Sequence, residues 1–147
     1  GGDFSILSST FLKDLSGLEG LNFIGGDLMI GNWNKYGPYN DSLTSLMGLE
    51  NLTSIGGNLT IIQNHLLGSL TGLENLTSIS GGLIIDKNYA LANILGLEHV
   101  NSIAGELRIT NNYALNSLNG INNINTASIE NLKIYNNTSL SNCEFPC

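Results

Sequence analysis

Charge is scarce in this chain. Only 12% of its 147 residues are Asp, Glu, Lys or Arg, against ~25% in an ordinary soluble protein. Five basic residues face twelve acidic ones, a formal net charge of −7, and the basic residues form no cluster. Nucleic acid is therefore not an expected partner, because phosphate binding needs a concentrated positive footprint. Docking on an anionic bilayer is disfavoured on the same ground. No apolar run is long enough to cross a membrane, so no membrane insertion is expected. No secretory leader is visible, as expected of a mature or trimmed chain. Cysteine is equally rare. Cys143 and Cys147 are the only two, both near the C-terminus, and they make no disulfide framework. They are a candidate disulfide. A mutual bond, two free thiols, and a bond from Cys147 to a partner outside the chain all stay open. Also missing is any apolar stripe of period 3.6 long enough to hold a stable helix.

What the chain has instead is Gly (18 residues), Asn, Ser and Thr around 41% hydrophobic residues. This suits short strands and many turns. It also repeats itself. Gly-Leu-Glu or a close variant starts at 17, 48, 72, 96 and 120, so successive copies lie 31, 24, 24 and 24 residues apart. Two central copies read GLENLTSIGGNLTI and GLENLTSISGGLII. A half copy over residues 1–16 opens the chain: GGDFSI matches GGDLMI at 25–30, which makes Ile6 the first member of the Ile column.

Three apolar pairs recur in each unit. Leu28/Ile30, Leu59/Ile61, Leu83/Ile85, Leu107/Ile109 and Leu132/Ile134 alternate with period two and predict a strand. A second series runs through Leu43/Leu46, Leu67/Leu70 and Leu91/Ile94, and a third through Leu52/Ile55, Leu76/Ile79 and Val100/Ile103. Gly- and Asn-rich stretches between them predict turns. One coil of about 24 residues cannot bury its own Leu and Ile. Stacked at ~4.8 Å per strand it can, with each strand paired to its copies above and below. The expectation is an all-β fold: a short right-handed parallel β-helix of about six coils, the hand following from the usual crossover preference. The whole chain, 1–147, is read as one such domain, with a C-terminal cap over 138–147. Asn64, Asn88, Asn112 and Asn137 share one repeat position, held by Ser9 in the first coil, and predict a turn-stabilising side-chain ladder.

The pattern L-x-S-I-x-G-x-L-x-I-x-x-N-x-x-L, cleanest from Leu52 through Ile61 with Asn64 and Leu67, resembles the receptor L-domain superfamily. That group includes the ligand-binding L domains of insulin- and EGF-type receptors, fungal cell-wall glycoproteins and bacterial surface proteins. The resemblance runs from about Gly1 to Leu140. It implies a β-helix displayed outside the cell or at its surface. The motif consists of core and turn residues, so it carries over no binding residue. Cys-rich modules are lacking, which sets the chain apart from growth-factor receptors. The regularity of the repeat looks more like the bacterial surface members. The leucine-rich-repeat horseshoe is the nearest competing fold, but the Gly72–Ile79 stretch ends in a β-like pair where a horseshoe has a helical or irregular back.

No catalytic, cofactor or metal site is expected. Glu19, Glu50, Glu74 and Glu98 form a column, and stacked like charges destabilise unless splayed into solvent or bonded to backbone. A line of single carboxylates does not converge on a cation. The Asp residues scatter over repeat positions, apart from Asp3 and Asp27, and give no obvious pair for glycoside hydrolysis. His65 and His99 have no partners at metal-ligand spacing. The outward residues Ser5, Met29, Thr60, Ile84, Arg108 and Lys133 are too irregular for an ice-binding face. Asn-x-Ser/Thr sequons begin at 40, 51, 58, 75, 136 and 137, and the repeat alone accounts for them.

The departure from the repeat is the informative part. Gly72 follows Ile61 by 11 positions, whereas Gly48 follows Ile30 by 18. The seven extra residues lie in a loop over 31–41 that holds Trp33, the one tryptophan, with Tyr36 and Tyr39. Solenoid insertions map to loops on one face, often the working face. The matching turns of later coils carry His65, Tyr89 and Tyr113. These six aromatic residues are the candidate partner-binding set, for a protein or a carbohydrate. The function expected is a non-catalytic recognition or adhesion module, extracellular or on the cell surface. A passive structural spacer is the alternative, and a polysaccharide-active β-helix enzyme comes third.

Overall fold

A computed structural model of the chain describes residues 1–141. Cys143 and Cys147, and most of the expected 138–147 cap, lie outside the described residues. The fold is a parallel β-solenoid of about six coils, as the repeat requires. Its main sheet has six parallel strands in the order β1 (Phe4–Ile6), β3 (Leu28–Gly31), β5 (Leu59–Ile62), β7 (Leu83–Asp86), β8 (Glu106–Thr110) and β9 (Asn131–Tyr135). A second sheet holds β2 (Phe23–Ile24), β4 (Ser54–Ile55) and β6 (Ser78–Ile79). Register follows the repeat residue for residue: Leu28 pairs with Leu59, Leu59 with Leu83, and Leu83 with Leu107. The horseshoe is excluded, because the second side is a β-sheet too and the only helical pieces among the described residues are the 3-10 turns Asn119–Ile121 and Thr126–Ser128.

All three apolar series point to one axis. Leu59, Ile61, Leu83, Ile85, Leu67, Leu70, Leu76 and Ile79 are almost wholly buried. Each such side chain contributes on the order of 1.5–3 kcal/mol by leaving water. The third side, carrying Leu43/Leu46 and its copies, has no strands. Isolated backbone bonds link its coils, among them Thr44 N–H to Lys13 O, Gly68 N–H to Thr44 O, and Ala92 N–H to Gly68 O. Burial fades at the ends, where Phe11 and Phe23 at one end and Leu132 at the other stand exposed.

Polar ladders hold the corners. In the main one, each Asn Nδ2 donates to a strand carbonyl of the preceding coil: Asn64 to Ile30 O at 3.0 Å, Asn88 to Ile61 O at 2.9 Å, Asn112 to Ile85 O at 3.0 Å and Asn137 to Ile109 O at 2.9 Å. The Oδ1 atoms of Asn88, Asn112 and Asn137 accept the backbone N–H of the preceding ladder Asn, as Asn88 Oδ1 does from Asn64 N at 3.1 Å. The ladder has one more rung than the repeat spacing suggests. Asn40 is fully buried, donates to Ile6 O and to Asn64 Oδ1, and accepts the Ser9 N–H. The insertion therefore ends before Asn40, and Gly31 still belongs to β3.

Three further columns explain composition. The Glu column caps backbone: the carboxylates of Glu19, Glu50, Glu74 and Glu98 accept the N–H of Gly17, Gly48, Gly72 and Gly96. Gly72 has φ +113, and a Cβ there would lie 2.2 Å from Leu46 O, so a side chain is excluded twice over. Asn51, Asn75, His99 and Asn123 reach back to the carbonyls of Glu19, Glu50, Glu74 and Glu98. At the start of the main-sheet strands, Asp3 Oδ1 accepts Asp27 N–H, Asp27 Oδ1 accepts Asn58 N–H, and Asn58 Oδ1 accepts Gly82 N–H. The Gly-Gly-Asp/Asn motif follows from this: a Cβ on Gly57 would lie 2.1 Å from Asp27 Oδ1. The Asn residues of all six sequons thus have structural work, and those at 40 and 137 are buried.

Candidate functional site

The six aromatic candidates occupy three places. Tyr39, His65, Tyr89 and Tyr113 form one stack along the turn that follows the main sheet. Centroids of Tyr39 and His65 are 4.9 Å apart with the rings inclined at 62°. His65 and Tyr89 are 4.7 Å apart, Tyr89 and Tyr113 5.1 Å, each pair within 4° of parallel. These separations match the ~4.8 Å rise between coils, so the repeat itself delivers the stack. Tyr39 comes from the insertion and brings the loop's end into the same column. Parallel rings at this spacing cover one another's faces. What the inner members offer a partner is ring edges and phenol hydroxyls, not a flat platform.

Burial within the column, followed by the neighbouring Tyr113, raises the Tyr89 pKa above its ordinary 10.0. Folding thus favours the neutral phenol. The stability this contributes is complete below the ordinary value and is lost as pH climbs through the raised one. We expect one of the five tyrosines to ionise late in the folded protein, and Tyr89→Phe to remove that phase. A phenolate absorbance titration of both proteins checks this; a late phase that survives the substitution would contradict the assignment.

Tyr36 stands at the loop tip, 84% exposed, with Lys35 Nζ 4.8 Å from its ring centroid. The loop itself is tied down. Asn34 N–H donates to Asn32 Oδ1, Tyr36 N–H to Asn34 Oδ1, Asn34 Nδ2 to Gly37 O, and Ser8 Oγ to Pro38 O. Tyr39 hydroxyl closes it onto Lys35 O.

Trp33 turns the other way, over the outer face of the main sheet. Its ring lies 5.0 Å from the Arg108 guanidinium carbon, a contact worth on the order of 0.5–1 kcal/mol at an exposed site. β3 and β8 are two strands apart from one another in the sheet, across β5 and β7, so the insertion spans several coils. Trp33 remains 49% exposed and walls a groove of about 390 Å³. The groove floor is the outward column Ser5, Met29, Thr60 and Ile84, and its far side is the capping column Asp3, Asp27 and Asn58. Thr60 points outward yet is buried. Sequence reasoning did not find this groove. Its signals were the shared repeat position of Asp3 and Asp27 and the length of the insertion, but nothing in the order of residues says that the loop folds back over the sheet.

The groove offers binding chemistry, an indole face beside carboxylate and amide side chains. No group of three or more His, Cys, Asp or Glu among the described residues is placed to hold a metal ion. Asp3 and Asp27 hold equivalent places in successive coils, each with one oxygen on the next coil's backbone. A hydrolytic pair needs its two carboxyls in contrasting surroundings. No helix of the described residues is long and apolar enough to cross a membrane.

The class defined by these features is a leucine-rich β-solenoid whose repeats are spent on folding and whose one irregular loop shapes a surface groove. Within that class, the family model for the Receptor L domain matches residues 22–95, half of the chain, and the chain belongs to that family. The matched span runs through the insertion and three strands of the main sheet. Receptor L domains are ligand-binding, non-catalytic modules, typically extracellular. No curated protein matches the chain. No solved structure matches it.

Proposed function

We propose that this chain is a non-catalytic recognition or adhesion module of a cell-surface or secreted protein, and that it binds a protein or a glycan on the side of the rod carrying the 31–41 loop. One observation carries the reading: among the described residues the loop is the one insertion of more than a single residue into the repeat, and it leaves Trp33 half exposed and Tyr36 almost fully exposed. Every other coil closes the same turn with seven fewer residues, so the coil does not need the loop to form. Large aromatic side chains are costly to expose and are typical of recognition surfaces. Family membership supports a ligand-binding role.

A passive spacer is favoured only by the stacked column, where Tyr39, His65, Tyr89 and Tyr113 satisfy one another. It gives no reason for Trp33 and Tyr36.

The test is a loop exchange that respects the ladder. Gly31 and Asn40 are kept, and residues 32–39 are replaced by a single Asn, the residue that Asn111 supplies at φ +58 in the equivalent place. We expect a melting temperature within a few degrees of the parent and loss of ligands found by glycan array and pull-down on the parent. Ligands that bind the shortened protein equally well would refute the site. A shortened protein that fails to fold would make the loop a structural clasp.

A further inference from the structure

We infer that the Trp33 groove is a subsite for an uncharged oligosaccharide, a conclusion that rests on the loop side being the binding side. Sugar rings offer two chemistries at once, an apolar C–H face and a rim of hydroxyls. The groove presents the complement of both. The indole of Trp33 forms one wall, and opposite it stand the side chains of Asp3, Asp27 and Asn58. In Asp3 and Asp27, Oδ1 is engaged by the next coil's backbone, which fixes each carboxylate in place and leaves its Oδ2 as an acceptor for ligand hydroxyls. Two small hydroxyl side chains, Ser5 and Thr60, and the bare backbone of Gly82 add polar floor without bulk. The volume of about 390 Å³ lies at the lower end of the ~300–1,000 Å³ range of small-ligand sites, too small for a folded partner.

Charge narrows the class. Acidic sugars are disfavoured, because Asp3 and Asp27 would repel them. A purely cationic ligand finds less than the residue count suggests: Glu106, at the groove's far end, is already paired with Lys133 at 2.6 Å, and Arg108 lies on Trp33. Hydroxyl donors need no countercharge. They match fixed carboxylate acceptors, whose hydrogen bonds to neutral donors are about twice as strong as neutral–neutral ones.

Trp33 is the only tryptophan, so its emission reports this groove alone. Tetramers of β-linked glucose, β-linked N-acetylglucosamine and α-linked mannose are titrated into the whole chain up to about 10 mM, enough to detect millimolar affinity. We expect at least one to change the emission saturably. Asp27→Asn should weaken that ligand about tenfold without moving the melting temperature, because Asn58 already performs the same backbone capping in the next coil. Trp33→Ala, followed by calorimetry, should weaken it at least as much. Saturable binding that is unchanged in both variants would put the sugar elsewhere and overturn the groove assignment. No emission change, with a protein ligand lost on loop exchange, would overturn the sugar class while leaving the loop as the recognition side. No emission change and no loop-dependent ligand of any kind would overturn both.

Discussion

Leu83→Asp is expected to leave the protein unfolded under conditions where the parent is fully folded. Leu83 sits in a middle coil, is 0% exposed, and pairs with Leu59 on one side and Leu107 on the other. The solenoid has no alternative place for it. Its backbone is held on both edges of β7, and the pleat points its side chain to the axis. A carboxylate there loses the apolar burial of Leu and gains the desolvation of an unpaired charge, several kcal/mol in practice. The total stability of a domain this size is only ~5–15 kcal/mol. Because each coil is stabilised by its neighbours, the break in the middle exposes the faces of both halves. Far-ultraviolet circular dichroism and thermal melting check this. A mutant that melts with the parent would refute inward stacking of the main-sheet leucines. Ile84→Asp, one position along on the outer face, is the control and should fold.

The second large effect is expected at Asn88. Its Nδ2 donates to Ile61 O at 2.9 Å and to Asp86 O at 3.3 Å, and its Oδ1 accepts Asn64 N–H at 3.1 Å, all in a site with no solvent access. Asn88→Ala strands the buried Asn64 N–H and removes the side-chain donor to Ile61 O, while Asp86 O keeps the Gln63 N–H at 3.0 Å. A buried group left without a bond costs about 1–3 kcal/mol, and the loss should reach about 2–3 kcal/mol. Asn88→Asp should be worse despite its matching shape: an ionised carboxylate still accepts from Asn64 but cannot donate to Ile61 O or Asp86 O, and it places a charge next to the buried Asp86. Asn51→Ala gives the contrast. Its single bond, to Glu19 O, is exposed, and water replaces it at a cost within ~1 kcal/mol. Urea denaturation of the three variants ranks them. Equal losses at 88 and 51 would mean that the Asn ladder is not the corner support.

The same distinction, between groups that the repeat makes equivalent and groups that it does not, separates what could be read in advance from what could not. Leu28, Leu59, Leu83 and Leu107 recur at one offset with Ile two positions on, and a period of two on a 24-residue spacing admits only stacked parallel strands with those residues inside. The Glu column was legible only in part: the sequence left solvent or backbone as its outlets, and the structure shows backbone. Like charges one coil apart must either splay or bond to backbone, and the adjacent Gly supplies the N–H. Asn40 escaped because the insertion displaced it by seven positions, and a ladder rung is defined by its height on the rod, not by its distance along the chain.

Fold class, strand register, core and the aromatic column at 65, 89 and 113 were thus determined by the amino-acid sequence alone, since each follows from identical units placed one above another. The path of the insertion was decided only in the tertiary structure. Residues 32–39 carry no periodicity to constrain them. Trp33 takes its position beside Arg108, which is distant in the chain and comes within reach only because the coils stack. The groove exists for the same reason: Asp27 and Trp33 flank a single strand, β3, but the floor between them is completed by Ser5, Thr60 and Ile84 of other coils, which lie beside β3 only because the coils stack.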